Sequence, residues 1–188
     1  MYFLLIYMKN INLNYYNIKF NNNKKENNQF DINISNEPFF QIIRNKKKLN
    51  KTLKIVKNFA NNKHNFIVFG IGGSNLGSQA LINVLQNDNK KKISFFDNID
   101  PEYFQTSISN IKFKDTGFII ISKSGKTPET LSQFACLIEI FKQKNKLKNL
   151  YKNCLIITED TINPLRKIAV NNNCTILDHE KNIGGRYS

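Results

Sequence analysis

Residues 118–130 read Phe118-Ile-Ile-Ile-Ser-Lys-Ser-Gly-Lys-Thr-Pro-Glu-Thr130. The apolar, β-branched run from Phe118 to Ile121 stops at Ser122, as a strand buried in a parallel sheet does. Three hydroxyls (Ser122, Ser124, Thr127), Gly125 and the cations Lys123 and Lys126 follow directly. Pro128 then opens a long helical pattern, with Thr127 at the N-cap position. A helix N-terminus presents unpaired N–H groups and a partial positive charge, which suits an oxyanion. Donor hydroxyls, a Gly125 that lets the backbone approach closely, and cationic Lys123 add to that preference. The stretch reads as a strand, a cradle for a phosphate monoester, and a helix. Taken alone, a polar turn that binds nothing fits equally well.

A second turn changes the balance. Gly70-Ile-Gly-Gly-Ser-Asn-Leu-Gly77 also follows an apolar strand directly, Phe66 to Phe69. In an open parallel sheet, ligands bind at the carboxyl ends of the strands, so both turns are expected to face one crevice.

Outward from these turns the chain alternates strand and helix. Strands are expected at Phe66–Phe69, Lys92–Phe96, Phe118–Ile121, Asn153–Ile157 and Cys174–Leu177. Between them lie a helix over Leu76–Gln86 with Leu76, Ala80, Leu81, Val84 and Leu85 inward, and a short one capped by Asp100-Pro101. A long helix runs from Pro128 to about residue 146, and Asn163-Pro164 caps another short one. Pro38 to Asn61 reads as one amphipathic helix with lysines on its wet face. Residues 9–36 alternate weakly and read as a hairpin. The expectation is a three-layer α/β sandwich around a five-stranded parallel sheet, Rossmann-like, with an N-terminal helix and a small β appendage. Residues 1–36 form the appendage and residues 37–188 the main domain.

Bulk properties narrow the class. The 188 residues carry 28 basic and 14 acidic side chains, a net charge of +14, so nucleic acid has to be considered. The lysines lie scattered among asparagines without the aromatic interleaving of a strand-binding groove, so no nucleic-acid partner is expected. The three cysteines are far apart in sequence and fit neither a metal site nor a disulfide framework, which suits a reducing compartment. The opening Met1–Met8 is apolar but too short to span a bilayer and lacks a basic leader, so a cytoplasmic protein without a membrane partner is expected.

The chain then reaches Gly184-Gly-Arg-Tyr-Ser188. Taken in order with the two turns, this motif resembles glucose-6-phosphate isomerase (phosphoglucose isomerase), specifically its N-terminal sugar-isomerase (SIS) domain, over about residues 38 to 188. The resemblance implies that Gly73 and Ser74 lie against the sugar. It implies that Ser122, Lys123, Ser124, Gly125 and Thr127 form the phosphate loop, and that Arg186 is the active-site arginine. The reaction it implies moves a proton between C2 and C1 through a cis-enediolate, interconverting glucose 6-phosphate and fructose 6-phosphate. No metal or organic cofactor is implied, and a homodimer is implied for the complete enzyme.

Departures from the family pattern are Ser78, where proline is common, and Lys126, where a threonine is usual. In the family, the proton-carrying glutamate and the ring-opening histidine and lysine lie in a second SIS domain, beyond the position of Ser188. The chain is thus expected to be an N-terminal portion, weak or inactive alone, with an apolar interface exposed. His179 precedes the glycine pair and reads as a surface or supporting residue, and Glu129 as a first-turn helix acid. The competing reading is a stand-alone SIS module that binds or senses a sugar phosphate without turnover.

Overall fold

The structure is a computed structural model that describes residues 38–85, 91–109 and 111–185. The expected hairpin over 9–36, and Arg186, lie outside the described residues.

Five parallel strands form one sheet: β1 (Asn65–Phe69), β2 (Lys92–Phe96), β3 (Thr116–Ile121), β4 (Cys154–Glu159) and β5 (Thr175–His179), in the spatial order β2-β1-β3-β4-β5. All six residues of β3 are buried, as a central strand covered on both faces requires. Each fully buried Phe or Ile there contributes about 1.5–3 kcal/mol of transfer free energy.

The helices are α1 (Pro38–Arg44), α2 (Lys46–Ala60), α3 (Gly73–Leu85), α4 (Pro101–Ser109), α5 (Pro128–Gln143), α6 (Leu147–Lys152) and α7 (Pro164–Asn171). One face of the sheet packs Phe66, Val68, Ile119 and Leu155 against Val56 and Phe59 of α2 and Ile82 of α3. The other packs Phe69, Phe118 and Ile156 against α4 (Phe104), α5 (Phe134, Phe141), α6 (Leu150) and α7 (Leu165). The Phe118 and Phe141 rings meet edge-on at 5.6 Å, seating α5 over the sheet. The α/β sandwich and its five-stranded parallel sheet are as expected from the strand–helix alternation.

Local departures have local causes. The helix expected over Pro38–Asn61 is two, because the Asn45 side chain accepts a hydrogen bond from Lys48 N (3.0 Å) and restarts the chain as the N-cap of α2. The long helix after Pro128 ends at Gln143, and Asn145 adopts a left-handed φ of 53° before α6 begins. The inward face assigned to α3 is corrected: Leu76 is 61% and Val84 79% exposed, while Ser74, Asn75 and Ser78 are buried. A helix entered directly from the glycine turn is oriented by that turn's close packing, which brings its polar first turn inward. Cys136 on α5 is exposed, whereas Cys154 and Cys174 are buried.

Candidate functional site

Strands β1 and β3 are hydrogen-bonded neighbours, with Phe69 opposite Ile120, so the turns that follow them open side by side. The chain leaves β1 toward β2 through α3 on one face, and leaves β3 toward β4 through α5 on the other. Crossovers of a single hand travelling in opposite directions must use opposite faces, so the two helices part between β1 and β3. This is the topological switch point of the sheet, where a crevice opens.

Glycine makes the first turn fit. A β-carbon on Gly70 would lie 3.2 Å from Ser74 Cβ and 3.6 Å from Ile121 Cβ, so the β1 turn packs tightly against α3 and the last residue of β3. Gly73 is the first residue of α3, and Ser74 is buried behind it. The next residue, Asn75, is fully buried, and neither its Nδ2 nor its Oδ1 has a hydrogen-bond partner among the described residues.

In the second turn Ser122 is still tied to the sheet, its N–H donating to Ile157 O at 3.0 Å. Its Oγ shares a hydrogen bond with Thr127 Oγ1 at 2.8 Å. Thr127 occupies the N-cap position of α5, but its side chain caps no N–H of that helix. Among the described residues the first turn of α5 is therefore left without side-chain capping, the condition in which an N-terminus can receive an anion. Gly125 N–H donates to Ser122 O (3.1 Å) and Lys126 N–H to Ser124 Oγ (3.2 Å), curling the loop on itself.

The Lys123 ammonium runs sideways from this loop. It donates to Lys181 O (2.9 Å) and Ile183 O (2.5 Å) and lies 3.5 Å from Glu159 Oε1. Its charge thus braces the segment that leads into Gly184-Gly185. His179 ends β5 beside this cluster. It is 5% exposed rather than on the surface, with Nδ1 2.9 Å from Glu180 O. Burial, and after it the Lys123 charge, lowers its pKa to about 4, so the ring is neutral at pH 7. Glu180 in turn pairs with Lys48 of α2.

Sequence reasoning reads Asn163 only as a helix cap. The structure also sets its amide against Gly125, and the β4–α7 segment holds the loop's backbone. Glu159 N (3.0 Å) and Thr158 Oγ1 (3.3 Å) donate to Lys123 O, and Leu165 N donates to Gly125 O at 3.2 Å. No local signal announces this contact, because it depends on β4 lying next to β3. Among the expected site residues, Gly73 and Ser74 stand at one strand end and Ser122, Ser124, Gly125 and Thr127 at the adjacent one. A separate apolar groove of about 530 Å³ between α4 and α5, lined by Ile99, Phe104, Ile108 and Cys136, touches neither turn.

Comparison with known families decides the affiliation. The family model for phosphoglucose isomerase matches residues 38–188. The chain belongs to the phosphoglucose isomerase family. It is 36% identical over 135 residues to a probable glucose-6-phosphate isomerase of Methanococcus maripaludis, covering 69% of this chain and 30% of that protein. It is 34% identical over 126 residues to the glucose-6-phosphate isomerase of Campylobacter jejuni, covering 66% and 30%. The chain thus spans about three-tenths of the length of these curated relatives. Among solved structures, a hypothetical protein from Thermus thermophilus superposes with a TM-score of 0.67 at 27% identity, covering 74% of this chain and 34% of that one. A glucose-6-phosphate isomerase from Chlamydia trachomatis shares the fold, with a TM-score of 0.63 at 21% identity over 75% of this chain and 28% of that one.

Proposed function

We propose that residues 37–188 form the phosphate-gripping part of a glucose-6-phosphate isomerase, working on glucose 6-phosphate and fructose 6-phosphate in the cytoplasm. The observation that carries this is the pairing of two glycine- and hydroxyl-rich turns on adjacent strands at the switch point, above the N-termini of α3 and α5. In this reading Ser124 and the hydrogen-bonded hydroxyl pair of Ser122 and Thr127, which keeps one O–H for a ligand, donate to the phosphate, and Gly125 and its neighbours donate backbone N–H groups. Gly73 and Ser74 contact the sugar. A few charge-assisted hydrogen bonds of about 1.5–3 kcal/mol each hold the phosphate and so place the distant C1 and C2. The family resemblance assigns Arg186 the stabilisation of enediolate charge that the ground state lacks. Lys123 acts from the side, bracing the run into Gly184-Gly185 rather than the phosphate.

Transfer of a carbon-bound proton also needs a placed base, typically worth 10²–10⁴-fold. Within the two turns the acidic residue nearest in sequence is Glu129, in the first turn of α5, where the helix dipole favours it as a structural acid. These 188 residues alone are therefore expected to bind fructose 6-phosphate and to turn it over poorly. A coupled assay on the purified chain checks this. Turnover within tenfold of an intact family member would contradict it.

A further inference from the structure

The phosphate loop is shaped by a side chain that lies outside it. Asn163 is 4% exposed, between the end of β4 and the start of α7. Its Oδ1 accepts from Arg166 N at 2.8 Å and so caps α7. Its Nδ2 faces Thr158 Oγ1 (3.3 Å), Glu159 O (3.4 Å), Thr161 O (3.2 Å) and Thr161 Oγ1 (3.4 Å). The amide lies where a side chain of residue 125 would be: a β-carbon on Gly125 would fall 1.8 Å from Oδ1, 2.2 Å from Cγ and 2.9 Å from Nδ2. Gly125 also holds a left-handed φ of 63°, a conformation that glycine reaches at little cost.

We propose that Asn163 is a positioning residue for the phosphate loop, its amide plane fixing the backbone of residues 122–127 in the arrangement that receives the anion. The role of that loop rests on the function proposed above; the positioning itself rests on geometry. Capping alone does not account for the residue, since Ser, Thr or Asp caps a helix about as well. What the shorter hydroxyl residues lack is the reach and flat amide that fill the space beside Gly125. What Asp lacks is the donor that meets the carbonyls of Glu159 and Thr161. With that space filled, the Gly125 carbonyl stays on Leu165 N–H and its own N–H on Ser122 O. Without it, a glycine with no side chain is free to leave the left-handed well.

The experiment compares the unliganded 188-residue chain with Asn163→Ser by site-resolved hydrogen exchange, then titrates both with fructose 6-phosphate. Serine retains the cap, so the amides of Ile156 in β4 and Ala169 in α7 are expected to exchange within about twofold of wild type. The amides of Gly125 and Lys126 are expected to exchange at least about tenfold faster, and affinity to fall about tenfold. Asn163→Asp, which preserves shape and cap but turns an acceptor toward two carbonyls, is expected to shift both readouts the same way. Unchanged exchange at Gly125 would overturn the proposal, as would faster exchange with undiminished affinity or loss of the fold in both variants. Failure of the wild-type chain to bind fructose 6-phosphate would count instead against the proposed function, while the exchange comparison still decides the role of Asn163.

Discussion

Asn75 is the least satisfied polar residue of the site. Its amide is fully buried in the first turn of α3 with no partner for donor or acceptor among the described residues. A buried amide in this state carries a desolvation penalty of about 1–3 kcal/mol that an apolar residue of similar shape does not. Asn75→Leu is therefore expected to leave the fold intact and raise stability by about 1 kcal/mol, seen as a later midpoint in urea. A loss of stability would show that the amide has a partner after all. The same scale shows what a sequence conveys about a residue and what it does not. The chemistry of Lys123, a cation in a hydroxyl loop, is legible in the string, but its direction is not. Its ammonium finds the carbonyls of Lys181 and Ile183 58 and 60 positions away. His179 is similar: its place before a glycine pair gives no sign that the fold buries it.

Among the elements, the join of β3 to α5 determines the site. Thr127 stands where a cap belongs yet pairs its hydroxyl with that of Ser122, so it caps no N–H of α5, and the proposed phosphate would meet that N-terminus. Thr127→Val keeps the branched shape and removes the hydroxyl. It is expected to weaken fructose 6-phosphate binding by about 10- to 100-fold, the worth of one charge-assisted hydrogen bond, as read by calorimetric titration. Thermal stability should change little, because the residue is only half-buried. Strands and helix starts are legible at this scale because their causes are local: β-branched runs, Pro128 and Pro164 at first helical positions, and Asn163 before Pro164. The breaks at Asn45 and Asn145 are not, because asparagines are so numerous here that the two that act do not stand out. The facing of α3 is hidden for another reason. Its apolar residues suggest an inward stripe, whereas the close approach at Gly70 holds Ser74 inward, Ser78 is buried as well, and Leu76 and Val84 are left in solvent.

For the molecule as a whole, the strand order is what converts two ordinary turns into one site. Alternating strand and helix implied a parallel sheet, and the coincidence of turns implied a shared crevice. The adjacency of β1 and β3, and of β3 and β4, packs the Gly70 turn against Ile121 and sets Asn163 against Gly125. The fold also collects charge around His179, with Lys123 from just beyond β3, Glu159 from the end of β4 and Lys48 from α2. The folded-state pKa of His179 is lowered to about 4 from its ordinary 6.5. Between these values the unfolded chain binds the extra proton, so this contribution to stability is complete above pH 6.5 and is lost as pH falls toward 4. Urea midpoints measured at about pH 7.5 and about pH 5 should show that loss, and His179→Asn should reduce it.

The most direct measurement is a two-dimensional NMR titration of the chain with fructose 6-phosphate. The account predicts saturable shifts that follow one binding curve at Gly73 and Ser74 and at Ser122, Ser124, Gly125 and Thr127. Shifts confined to one turn, or none at either, would contradict it.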